Sequence, residues 1–248
     1  MINIYLDPWV LEAPLPILDR ERVSALVEAA HDGGVLVRAH VRTAPELVVA
    51  LDGGVDVIEH PPVGRLTEPE LAALAAAEES GARMEEIVAE QMAAAEPLLE
   101  RMVEDVVALV PTLASYADYL VYLLPEPARA PYVEAVVGLA GRINEIGGVV
   151  ALGTDRGFVE VSGNHYLAEM ALLRDAGLTP LEAIQSATAN AAAVCGQEEE
   201  LGSLEVGKLA DLIVVDGDPL ADLGALERVE NVILGGEIVF SRAVPSGG

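Results

Sequence analysis

Three apolar runs in this chain end on residues that can bind a metal ion: VLVRAH ends at His40, GVDVIEH at His60 and VVALGTD at Asp155. Imidazole nitrogens and carboxylate oxygens suit zinc and similar divalent ions, and a metal held this way can polarise a carbonyl and activate water. In a barrel of alternating strands and helices the carboxyl ends of the strands form the ligand-binding face. Three potential ligands at three strand ends therefore predict one shared site, with Asp155 free to bind metal or to shuttle a proton. Taken singly, His40 or His60 fits a structural or solvent-facing histidine better than a ligand. The expectation rests on the three together.

The elements that must position these residues alternate. Ile2 to Leu6 reads as a short strand, and Val23, Leu26, Val27 and Ala30 mark one face of a helix stopped by Gly33 and Gly34. Val35 to Ala39 and Val55 to Ile58 read as strands, each followed by a helix, Thr43 to Leu51 and Thr67 to Glu79. Thr43 with Glu46, Thr67 with Glu70 and Thr179 with Glu182 each have the spacing of a capping box, with proline just after the threonine. Arg83 to Glu104 predicts an extra helix or helical hairpin, expected as an insertion over one barrel mouth. Val106 to Val110 then leads into Pro111, Thr112 and Leu113. A helix from about Pro131 to Ile146 precedes a strand at Val149 to Leu152, and helices at Tyr166 to Ala176 and Pro180 to Ala193 follow. Such alternation implies parallel β/α units. After Gly202 short β-type runs separated by glycine predict a small β domain, which divides the chain into residues 1–201 and 202–248.

Composition limits the partners. The 248 residues carry 41 acidic against 14 basic side chains, a formal charge of -27, and of the basic residues only Lys208 is lysine. A surface this acidic repels nucleic acid and anionic membrane. With 52% hydrophobic residues in periodic positions the chain is expected to fold despite its charge. A single cysteine, Cys195, fits a reducing compartment, and no apolar run reaches the roughly 20 residues of a membrane span. A cytoplasmic location is the expectation. Cys195 is expected to be a small buried apolar residue, and His31 a structural or surface residue near a helix carboxyl end. Tyr116 and Tyr119 are candidates for pocket lining or for helix packing.

The stretches VLVRAH, ALDGGVDVIEH, VPTL, ALGTD, AGLTPLEAIQSATANAA and LGSLEVGKLADLIVVDGDPL resemble, in order and over nearly the whole chain, the amidohydrolase superfamily. The similarity is to its branch of imidazolonepropionase-like hydrolases and Xaa-Pro dipeptidases. The resemblance implies an α/β fold, a partial (β/α)8 TIM-barrel-like metal-dependent hydrolase comprising strands 4 to 8, joined to part of a small β-sandwich. It implies that His40 closes the fifth strand, His60 the sixth and Asp155 the eighth, that all three bind metal, and that Asp155 is the acid/base acting on water. Arg156, next to Asp155, is a candidate for binding a substrate carboxylate or for a surface ion pair, and His165 for substrate contact or for helix capping.

The same resemblance implies ligands that are not found. The sequence contains no His-x-His pair, and Asn3, in MINIYL, stands where the family's binuclear members carry the lysine whose carbamate bridges two metals. Asparagine cannot form a carbamate, so one zinc at most is expected, weakly held. A chain starting at the fourth strand is expected to have open barrel edges and to self-associate, or to take its missing strands and His-x-His pair from a partner chain. Two functions follow. One is metal-dependent hydrolysis of an amide or cyclic C–N bond in a small molecule such as a dipeptide or cyclic amide. The other is a truncated or degenerate, inactive member acting as an oligomeric scaffold or as half of a split enzyme.

Overall fold

The computed structural model describes residues 1–6, 18–63, 65–118, 124–155 and 165–242. Strand β1 (Ile2–Tyr5) is followed by α1 (Arg20–Asp32), β2 (Val37–His40), α2 (Ala44–Gly53), β3 (Val57–Glu59), α3 (Glu68–Ala76), α4 (Ser80–Glu104) and β4 (Ala108–Val110). Next come α5 (Leu113–Asp118), α6 (Glu126–Glu145), α7 (His165–Asp175), α8 (Pro180–Ser186) and α9 (Ala189–Val194). The tail holds β5 (Leu212–Val215), β6 (Val229–Leu234) and β7 (Glu237–Ser241).

Strands β1 to β4 form a parallel sheet in chain order. Its register sets Asn3, Arg38, Val57 and Ala108 abreast, and Tyr5, His40, Glu59 and Val110 abreast one pleat further on. Alternation sends these two rows to one face of the sheet. The residues between them, Ile4, Ala39, Ile58 and Leu109, join the main core with α1, α2, α4 and α6. Fully burying a leucine such as Leu47 or Leu99 contributes about 2 kcal/mol, so this helix-covered face holds the fold. The other face has only a small apolar cluster, in which Val57, Ala108, Val110 and Ala151 meet Val194 of α9. Polar side chains occupy the rest of it.

All three capping boxes form, at Thr43 with Glu46, Thr67 with Glu70 and Thr179 with Glu182. Three other elements differ from expectation. The segment taken for an insertion over the barrel mouth is one helix of 25 residues, α4, packed between α2 and α6 in the outer layer. Its stripe of Met84, Ile87, Val88, Ala95, Leu99 and Met102 is buried, and the intervening alanines and glutamates obscure that period in the sequence. The strand expected at Val149 to Leu152 is reduced to one parallel bridge, Val150 to Leu109. The helix expected over Pro180 to Ala193 breaks into α8 and α9, where the Thr188 hydroxyl donates back to the Ile184 carbonyl at 2.8 Å.

The tail is a three-stranded antiparallel sheet, β5-β6-β7. Its side chains are intermediate or exposed throughout, and Ile213, Val214, Ile238 and Phe240 all face solvent in this chain. No helix among the described residues is long and apolar enough to cross a membrane.

Helix α6 meets the end of α7 so closely that a Cβ on Gly141 falls 2.1 Å from the Ala176 carbonyl oxygen, whereas one on Gly138 meets nothing within 4 Å. Gly141→Ala is therefore expected to destabilise the chain by about 1–3 kcal/mol through overpacking. Gly138→Ala is expected to stabilise it by about 0.5–1 kcal/mol through reduced chain entropy. Urea denaturation of the two variants checks the opposite signs; equal effects would refute this packing.

Candidate functional site

The site is built where the chain leaves the sheet. Strand β2 ends on His40, whose ring stacks on Tyr5 of the neighbouring strand with centroids 4.2 Å apart and planes at 11°. Strand β3 ends on Glu59, and strict alternation would send the next residue, His60, to the helix-covered face. His60 instead adopts a left-handed backbone, φ 71°, while its N–H still bonds the Val110 carbonyl at 2.9 Å. The reversal brings its ring to His40, with Nε2 of His60 2.9 Å from Nδ1 of His40. Thr112 after β4 and Asp155 after the Val150 bridge have the same backbone, at φ 53° and 48°. The Thr112 hydroxyl lies 2.8 Å from Nδ1 of His60. His40, His60, Thr112 and Asp155 all line one cavity of about 340 Å³, together with Asn3, Arg38, Glu59 and Cys195.

Burial and two arginines decide the protonation of this row. Burial, then the charges of Arg42 and Arg38, lower the pKa of His40 to about 4. Burial, Arg42 and His40 hold His60 well below the usual histidine range. Both rings are therefore neutral near pH 7. Burial raises the Asp155 carboxyl, with Arg42 opposing, and burial raises Glu59 although Arg38 donates to it at 2.5 Å. Arg42 is buried, donates to the Tyr116 hydroxyl at 2.9 Å and lies 5.3 Å from its ring centre.

Two neutral imidazoles with facing nitrogens fit a borderline divalent ion, for which neutral histidine is the common ligand. The Nε2 of His40 is buried without a hydrogen-bond partner among the described residues. The third ligand is less well provided. Asp155 lines the same cavity, but no group of three His, Cys, Asp or Glu side chains converges on one point among the described residues.

The amidohydrolase family model matches residues 4–239, beginning in β1 and ending in β7. The chain belongs to the amidohydrolase family. Imidazolonepropionase of Symbiobacterium thermophilum is 43% identical over 89 residues, which are 35% of this chain and 20% of that protein. The probable imidazolonepropionase of Nematostella vectensis is 33% identical over 144 residues, 54% of this chain and 29% of that protein. A crystal structure of a Xaa-Pro dipeptidase with methionine bound in its active site is 28% identical, with a TM-score of 0.68 over 97% of this chain and 54% of that one. This amidohydrolase thus spans 20 to 29% of the length of those two curated relatives and about half of its solved neighbour.

Of the residues singled out from sequence, His40, His60, Asp155 and Asn3 meet at the cavity. Arg156 and Tyr119 lie outside the described residues. His165 is buried at the head of α7 and is not among the lining residues. Cys195, expected to be buried, is exposed, because it caps the carboxyl end of α9 where that helix meets the cavity. Tyr116 packs internally, 5.9 Å from the His60 ring, and His31 bonds Asp56 at the surface. Sequence reading missed Arg38, Glu59, Arg42 and Thr112. Period-2 alternation from His40 points to Arg38, and strand pairing with His40 points to Glu59. Thr112 lies in the VPTL stretch, which carries the family resemblance without marking the threonine.

The lowered His40 pKa has a direct readout. In a proton NMR titration the His40 ring signals are expected to stay flat from pH 8 to 5 and to move only near pH 4. A midpoint near the ordinary histidine value of 6.5 would show that the ring is not enclosed as described.

Proposed function

We propose that this amidohydrolase hydrolyses an amide or cyclic C–N bond in a small molecule, with dipeptides and cyclic amides as the substrate class. The observation that carries this reading is the pair of neutral histidines facing each other at 2.9 Å at the carboxyl ends of parallel strands, beside Asp155. The names of the relatives support it: imidazolonepropionases and a Xaa-Pro dipeptidase act on C–N bonds.

In this reading His40, His60 and Asp155 hold a divalent metal, zinc by donor type, with one ion at most. When bound, the ion supplies Lewis acidity and lowers the pKa of water. Asp155, whose proton affinity is raised by burial, takes a proton from the attacking water and returns it to the leaving amine as the C–N bond breaks. Arg156 is assigned to a substrate carboxylate; the weight of substrate contact falls on it rather than on His165, which is buried outside the cavity lining. Asn3 lines the same cavity, which supports its assignment to the position of the carbamate-forming lysine. The parallel strands and the Val150 bridge support an assignment to strands 4 to 8 of a (β/α)8 barrel. The antiparallel tail supports residues 202–248 as strands of a β-sandwich.

Two observations favour a second reading, in which the chain acts as a scaffold or as one half of a split enzyme. The apolar side chains of β5 to β7 are exposed, and β1 pairs only with β2 among the described residues. Contiguous exposed apolar surface and an open strand edge both favour association. Size-exclusion chromatography with light scattering separates the cases, since a well-behaved monomer contradicts this second reading.

The hydrolase reading is tested by incubating the purified chain with zinc or manganese and assaying a panel of dipeptides and N-acyl amino acids. Turnover is expected, with Asp155→Asn lowering it by about 10²- to 10⁴-fold. Activity no higher than that of a His60→Ala control sinks the hydrolase reading for this chain.

A further inference from the structure

One charged side chain is completely buried and plays no part in the reading above. Glu169, on α7, has no exposed surface. Its two carboxylate oxygens accept hydrogen bonds from the N–H groups of Leu113 at 2.8 Å and Ala114 at 2.7 Å, the first two residues of α5. The residue just before them is Thr112, left-handed at φ 53°, whose hydroxyl lies 2.8 Å from Nδ1 of His60. From there Nε2 of His60 faces Nδ1 of His40 at 2.9 Å. An unbroken series of short contacts thus runs from α7 to the two histidines.

Among the described residues this carboxylate accepts hydrogen bonds from two backbone N–H groups alone, so its burial is costly. Burial raises its pKa to about 7, against the lowering effect of those same N–H groups. An apolar residue there would still pack α7 but would leave both N–H groups unbonded. What the carboxylate adds is a fixed position for the first turn of α5, and hence for Thr112.

We infer that Glu169 is a positioning residue for His60. By clamping Leu113 and Ala114 it holds the Thr112 hydroxyl where it accepts the Nδ1 proton of His60, and so leaves the Nε2 lone pair aimed at His40. The inference rests on the functional reading of the two histidines, since a metal ligand needs its other ring nitrogen fixed by a hydrogen bond. Glu169 touches neither histidine and acts through the Thr112 backbone. Thr112→Val removes the hydroxyl and keeps the shape of the side chain. Glu169→Gln keeps one acceptor oxygen and turns an amide N–H₂ toward the other backbone N–H.

The test has two readouts, both on the whole chain at pH 8. The first is nitrogen-15 NMR of labelled histidines without metal. Wild type is expected to show His60 protonated at Nδ1 and bare at Nε2, and both Glu169→Gln and Thr112→Val are expected to mix the two tautomers. The second is calorimetric titration with zinc. Each single variant is expected to bind about 10- to 100-fold more weakly than wild type, the range for lost support of a ligating histidine. The double variant is expected to be no weaker than Thr112→Val alone, because the two residues act in series.

A bare Nδ1 on wild-type His60 overturns the inference, and that measurement stands even if Glu169→Gln does not fold. An unchanged tautomer in folded Glu169→Gln, or additive losses in the double variant, overturns it as well. Wild type that takes up no zinc but shows the expected tautomer and its loss defeats the hydrolase reading and leaves the positioning role supported.

Discussion

The candidate site depends on the way the chain turns as it leaves each strand. His60 and Thr112, just after β3 and β4, and Asp155, beyond the Val150 bridge, all take left-handed backbone conformations, and none is glycine. Each such residue costs about 1–3 kcal/mol when strongly held in a sparsely populated region. The turn inverts the alternation of the strand, so a residue due to face the helices faces the cavity instead. His60 keeps its backbone bond to Val110 while doing so, which means that the sheet is not disrupted to place the ring. Without this inversion His60 and His40 would lie on opposite faces of the sheet, and their close approach would be lost.

The two faces of the sheet are stabilised by different means. The helix-covered face is apolar and would tolerate volume-conserving exchange. The cavity face pairs Arg38 with Glu59 and His40 with His60, and stacks Tyr5 on His40. Polar groups at low exposure are costly unless each finds a partner, and most do here. The exceptions among the described residues at the cavity are Nε of Arg38 and Nε2 of His40. Both atoms belong to residues of β2 that line the cavity.

Much of the fold was legible because it rests on local chemistry. The threonine and glutamate of each capping box announce helix starts that the structure reproduces, and His40 and His60 announce the ends of β2 and β3. Helix α4 was misplaced because its alanine-rich stretch dilutes the apolar period, so that only packing against α2 and α6 reveals which face is inward. The left-handed turns could not be read at all, since histidine, threonine and aspartate carry no preference for them comparable to that of glycine. Glu169 lies on the buried stripe of α7 with His165 and Leu173, a carboxylate at apolar spacing, and that spacing was its only signal.

Proton linkage ties these groups together. His40 stays neutral in the folded chain between about pH 6.5 and 4, where the unfolded chain would protonate it, so its contribution is full above that window and lost as pH falls through it. Glu169 behaves in the opposite way. Its value is raised from 4.5 to about 7, so the folded chain holds a proton that the unfolded chain has lost, and this contribution is full below the window and lost as pH rises through it. Over the shared range the two oppose each other, and neither sets an overall pH optimum alone. Burial is the main cause of the histidines' neutrality, and the arginines that add to it also act against any other cation at the cavity. Negative charge on Asp155 and Glu59 is what offsets them, yet burial raises the proton affinity of both. The negative charge on this face is therefore lost at a higher pH than on exposed carboxylates.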